Sequence, residues 1–71
     1  MSHNSVDKLV KMANQIASFF SAQNASQSVS GMTDHLKKFW DPRMRAVIIE
    51  HVNHGGAGLD PLAIEAIKRL S

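Results

Sequence analysis

Two Asp-Pro pairs, Asp41-Pro42 and Asp60-Pro61, do most to limit what this chain can fold into. Proline holds φ near the helical value and lacks the N–H that the first turn of a helix leaves unpaired, and an Asp just before it can accept from the orphan amides. Each pair therefore marks the start of a helix. Around the first pair runs Phe39-Trp40-Asp41-Pro42-Arg43-Met44-Arg45, which holds the only Trp of the chain. One helix ends near Trp40 and another begins at Pro42. An aromatic pair on one side of this corner and two arginines on the other suit a binding anchor that buries apolar area and orients by charge. The competing reading is a core position for the aromatics and a solvated first turn for the arginines, since a short chain needs its largest side chains inside.

The remaining segments fall into place around these corners. Val6, Leu9, Val10, Ala13, Ile16, Ala17 and Phe20 recur at three- and four-residue steps, which predicts a first helix from about Val6 to Ser21 with Ser5 as its N-cap and Met1 to Asn4 frayed. Met12 and Phe19 sit at the margins of that stripe, and Asn14, Gln15 and Ser18 make an amide-rich far side. Residues 22–28 are small, polar and aperiodic, which predicts a loop. The second helix begins between Gln27 and Ser30, is weakened by Gly31, and turns Val29, Met32, Leu36, Phe39 and Trp40 inward. The third runs from Pro42 to Val52 or Asn53 with Met44, Val47, Ile48 and Val52 on one side. Gly55 to Gly58 forms a mobile connection, and the fourth helix starts at Pro61 with Leu59 able to staple onto Ile64. No stretch alternates with a period of two. The expected fold is all-α, a small bundle of about four short helices, as a single helical domain over residues 1–71 with a polar loop at 22–28 and a Gly-rich loop at 55–58.

A chain of 71 residues buries only about 60% of its unfolded surface, so it folds marginally by itself or leans on a partner. It has no cysteine, which removes disulfides, thiolate metal sites and a thiol nucleophile. The net charge of +2 is too small for a nucleic-acid signature. No apolar run approaches the roughly 20 residues that span a bilayer, and the N-terminus lacks a signal-peptide pattern, so the expected localisation is cytoplasmic.

Catalytic chemistry finds little to work with. His51 and His54 are spaced to face one metal from a helix, but with only His35 and scattered carboxylates besides, the ligand set stays incomplete and no metal site is expected. Gly55-Gly56-Ala57-Gly58 before a helix has the look of a phosphate cradle, yet it follows a helix, Asp60 already fills the cap with negative charge, and Pro61 deletes a donor. No catalytic or cofactor-binding residues are assigned. Lys37, Lys38, Arg43 and Arg45 form a local basic cluster, interrupted by Asp34, Asp41 and Glu50. It keeps open an alternative function, a small basic helical domain that binds nucleic acid or acts as a regulator, though nucleic acid is not the expected partner.

Three blocks of the chain then carry a resemblance. They are Lys8-Leu9-Val10-Lys11-Met12-Ala13-Asn14-Gln15-Ile16 followed by Phe19-Phe20, then His35-Leu36 with Phe39-Trp40-Asp41-Pro42-Arg43-Met44-Arg45, and Gly55-Gly56-Ala57-Gly58-Leu59-Asp60-Pro61-Leu62. In these blocks and their order the sequence resembles the small delta subunit of bacterial soluble, molybdenum-containing NAD-dependent formate dehydrogenases, over nearly the whole chain beyond Ser5. The resemblance implies an accessory subunit, not an enzyme in its own right. In that family the large alpha subunit carries molybdenum bis-pterin guanine dinucleotide and iron–sulfur clusters, and the other subunits pass electrons to FMN and NAD. The delta subunit is expected to support assembly, cofactor loading or stability, either as a resident subunit or as a transient factor. The expected partner is the alpha subunit, with Phe39, Trp40, Arg43 and Arg45 at the protein interface; no membrane partner is expected, and self-association of the free chain stays open.

Overall fold

The capping chemistry written into the sequence reappears as four helices in the computed structural model, which describes residues 4–70. They are α1 (Asn4–Phe20), α2 (Ala25–Phe39), α3 (Pro42–Asn53) and α4 (Pro61–Lys68). Met1 to His3, part of the segment expected to fray, lie outside the described residues. Helix α1 already includes Asn4, so Ser5 belongs to the helix and is not its N-cap.

Both Asp-Pro corners form as expected. Asp41 Oδ1 accepts the Met44 amide at 2.8 Å, and Asp60 Oδ1 accepts the Leu62 amide at 3.0 Å. Extended backbone at both Asp residues lets the chain turn sharply into the helix that follows.

The second helix departs from the expected boundaries. It starts at Ala25, capped by Asn24, whose side chain accepts the Gln27 amide at 3.1 Å, so the connection from α1 covers only residues 21–24 and the polar stretch through Ser28 is mostly helix. Weak intrinsic propensity at Ala25-Ser26-Gln27-Ser28 yields here to a good cap and to tertiary bonds. The buried Ser28 hydroxyl lies 2.7 Å from Phe20 O, which also accepts the Gln23 amide, and 3.0 Å from Gln23 O, so its donation ties the start of α2 to the end of α1 and to the connection. Gly31 also has a use that propensity conceals: a Cβ there would stand 3.0 Å from the Phe20 ring, so the missing side chain lets Phe20 lie against α2.

Around the core, α1 contacts α2, α3 and α4, and α4 packs on α2 and α3 as well. The buried residues are Leu9, Ala13 and Ala17 of α1, Met32 and Leu36 of α2, Trp40 at the corner, Ile48 of α3, Leu59, and Ala63, Ala66 and Ile67 of α4. Alanines at Ala13, Ala17, Ala63 and Ala66 let helix backbones approach closely. The Thr33 hydroxyl shares its proton between Val29 O of its own turn at 2.9 Å and Ala66 O of α4 at 3.0 Å, which sets the register of α2 on α4. A radius of gyration of 11.1 Å matches the roughly 11 Å of a compact chain of this length.

Phe39 does not join the core. The buried side of α2 is centred on Ser28, Met32, Thr33 and Leu36, and Trp40 extends it as the chain leaves the helix with ψ 133°. Phe39 lies about 45° round the helix from that centre, between Ser28 and Met32 in projection but at the very end of the helix. With the place beneath the corner filled by Trp40, it stands in solvent at 71% exposure.

The Gly-rich connection is held more firmly than a mobile linker. The Gly55 amide donates to Val52 O at 3.0 Å and the Gly56 amide to His51 O at 2.9 Å, the paired bonds of a Schellman ending, with both glycines at positive φ.

Candidate functional site

The seven residues of the corner resolve into two groups. Trp40 is 4% exposed and belongs to the core, so it is a structural residue of this chain. Arg45 is half-buried, and its Nη1 donates to Lys37 O in the last turn of α2 at 3.0 Å and to Trp40 O at its C-cap. A guanidinium at the negative end of a helix satisfies orphan acceptors and complements the dipole. Arg45 therefore fixes the angle between α2 and α3 from within the chain, and Arg45→Glu would set a carboxylate against those carbonyls and disturb the fold along with any docking. Of the four residues expected at the interface, Phe39 and Arg43 face solvent.

Phe39 also has company that the sequence does not announce. Its ring centroid lies 4.7 Å from that of His35, His35 lies 6.0 Å from Phe20, and Phe20 meets Phe19 edge-on at 5.3 Å. Phe19 is 73% exposed. The four rings make one strip across the α1–α2 hairpin, open to solvent at both ends. Phe19 was visible in the sequence as a residue off the apolar stripe, but its link to Phe39 through Phe20 and His35 depends on how the hairpin closes.

The histidines of α3 and its C-cap are turned onto backbone carbonyls. His51 Nε2 donates to Ala57 O at 2.8 Å, and His54 Nδ1 donates to Glu50 O at 2.9 Å with the Glu50 carboxylate 3.5 Å away. Among the described residues no three His, Asp or Glu side chains converge as a metal site would require. Val6, Ala46, Val47, Glu50, His51 and His54 line an open groove between α1 and α3, mostly apolar on its floor.

Asn14 takes a part that its place on the amide-rich side of α1 concealed. Its Nδ2 donates to Gly58 O at 2.9 Å and its Oδ1 accepts the Asp60 amide at 2.8 Å, so one side chain clamps both strands of the loop that leads into α4. With His51 holding Ala57 from α3, the glycine loop is tied to two helices. Asn14→Ala is expected to cost about 1–3 kcal/mol, two net hydrogen bonds' worth, and to speed amide exchange at Asp60 selectively. Thermal unfolding followed by circular dichroism and exchange followed by NMR check both parts.

What the described residues provide is a capped and clamped helical bundle whose buried polar side chains are all hydrogen-bonded. No helix among them is long and apolar enough to cross a membrane. No curated protein and no solved structure matches the chain. A family model described as NADH-dependant formate dehydrogenase delta subunit FdsD matches residues 8–67, a span that takes in the hairpin with its aromatic strip, the Asp-Pro corners and the clamped loop. The chain belongs to that family of formate dehydrogenase delta subunits.

Proposed function

We propose that this protein is a non-catalytic accessory subunit that docks, in the cytoplasm, on the large molybdenum-containing subunit of an NAD-dependent formate dehydrogenase and supports assembly, cofactor loading or stability of the complex. The observation that carries the reading is the family match over residues 8–67. The chain's chemistry agrees with it. Cysteine, the usual ligand of iron–sulfur clusters, is absent from the sequence, and the glycine loop spends its backbone groups on Schellman bonds and on Asn14. The molybdenum cofactor, the iron–sulfur clusters, FMN and NAD belong on this reading to the other subunits.

The test is to purify the complex from cells with and without the gene for this chain. The expected result without it is a fall in the molybdenum content of the large subunit, or in the yield of the full set of subunits, with formate-dependent NAD reduction falling in proportion. A complex of unchanged composition, metal content and activity would overturn the reading.

A further inference from the structure

Two exposed phenylalanines on different helices are an unusual outlay for a domain that needs every apolar group it has. Scattered single hydrophobics on a surface require no explanation. Here, however, Phe19 and Phe39 are joined through Phe20 and His35 into one continuous strip, with successive centroids 5.3, 6.0 and 4.7 Å apart. We propose that this strip is the face by which the chain docks, and that it receives an apolar ridge bordered by carboxylates on its partner subunit. The proposal rests on the accessory-subunit reading and gives it a surface and a partner chemistry.

Rigidity favours the strip. Aromatic anchors held before binding lose little entropy when they bind. Phe20 is seated on Gly31, the end of α1 is capped by Ser28, the start of α2 is capped by Asn24, and the end of α2 is held by Arg45. The core does not call on the outer rings, because Trp40 fills the space beneath the corner. Phe19 and Phe39 are thus positioned by the fold without being needed for it.

Charge decides what kind of partner fits. Lys8, Met12, Gln15 and Phe19 stand four, three and four residues apart and share one face of α1. On α2, Gly31, His35 and Lys38 follow the same spacing beside Phe39. Lys38 is exposed beside the strip, Lys8 is exposed on the same face of α1 about three turns before Phe19, and neither is held in an ion pair among the described residues. The nearest acids are Asp34, one turn before Lys38 on α2, and Asp41, between Phe39 and Arg43, while Lys37 and Arg43 add positive charge. Over the hairpin and corner, residues 4–45, six lysines and arginines stand against three aspartates, so this part of the chain is net positive, which suits carboxylates around the partner's apolar ridge.

The experiment uses the full tagged chain co-expressed with the other formate dehydrogenase subunits and compares recovery of those subunits by wild type, by Phe19→Ser with Phe39→Ser, by each single change, and by Lys38→Glu. The double variant is expected to keep its helicity and to recover the partner at least roughly tenfold less well, as loss of interface anchors does. Lys38→Glu is expected to lower recovery several-fold, with the difference from wild type shrinking as salt rises. Should the double variant lose its fold, the folded single variants decide: reduced recovery supports the strip and undiminished recovery overturns it. A folded double variant that recovers the partner as well as wild type overturns the strip while leaving the accessory reading intact. Wild type that recovers no subunit removes the accessory reading and the strip with it. A wild-type chain that is a dimer by light scattering, and a monomer in the double variant, would reassign the strip to self-association and overturn the proposed partner.

Discussion

Trp40→Ala is expected to unfold most of the protein at physiological temperature. Trp40 is 4% exposed, sits where α2 gives way to α3, and closes the core beneath both. Deleting a buried Trp costs about 3–5 kcal/mol in lost transfer energy and residual cavity. A domain of this size has roughly 4–10 kcal/mol of stability in total, so the loss takes up a large part or all of it. The neighbouring change Phe39→Ala should move stability by no more than about 0.5 kcal/mol, because that ring is already in water. Urea denaturation of the two variants side by side tests the assignment. Equal losses, or a larger loss for Phe39→Ala, would mean that the corner is turned the other way.

The second large effect is at Leu36. Its side chain is fully buried, three residues on from the Thr33 that bonds α4, and its carbonyl accepts the Trp40 amide at 3.0 Å, so it supports both the core and the corner. Leu36→Ala is expected to cost about 2–5 kcal/mol. For a chain this short that lowers the unfolding midpoint by about 10 °C or more. Leu36→Met keeps the volume and should cost less than about 1.5 kcal/mol. A Leu36→Ala protein that melts with wild type by circular dichroism would contradict the burial of Leu36 in the core.

These residues also show what the sequence made legible. Local chemistry was readable: Asp41-Pro42 and Asp60-Pro61 mark helix starts by capping and φ restriction, and the bonds to Met44 and Leu62 follow. Periodicity located Leu9, Ala13, Ala17, Met32, Leu36 and Ile48 on buried sides. It failed at Phe39, because the spacing that brings Phe39 towards the stripe carries no information about Trp40 turning into the same space once the helix has ended. It failed again at the start of α2, where Asn24 carried the capping signal but weak helix formers after it concealed the helix.

What could not be read locally were bonds between distant parts of the chain. Asn14 clamps a loop 44 and 46 residues away, and Thr33 reaches Ala66 across 33 residues. A polar side chain on a helix gives no sign of such partners until the helices are placed. The same holds for the candidate docking surface. Phe39 and Arg43 could be singled out from the corner, but Phe19 enters only because the hairpin lays the end of α1 against the middle of α2, with Phe20 on Gly31 and His35. Arg45 was singled out for its charge, and the fold applies that charge to the carbonyls of its own chain.

The most direct test of the account is to capture the tagged wild-type chain from cells expressing the other formate dehydrogenase subunits, then to measure the native mass, molybdenum, iron and formate-dependent NAD reduction of what is recovered. The account predicts recovery of the large subunit with the chain, with NAD reduction and metal following that subunit and none in the chain alone. A chain recovered free, while the remaining subunits form a fully metallated and active enzyme without it, would contradict the account.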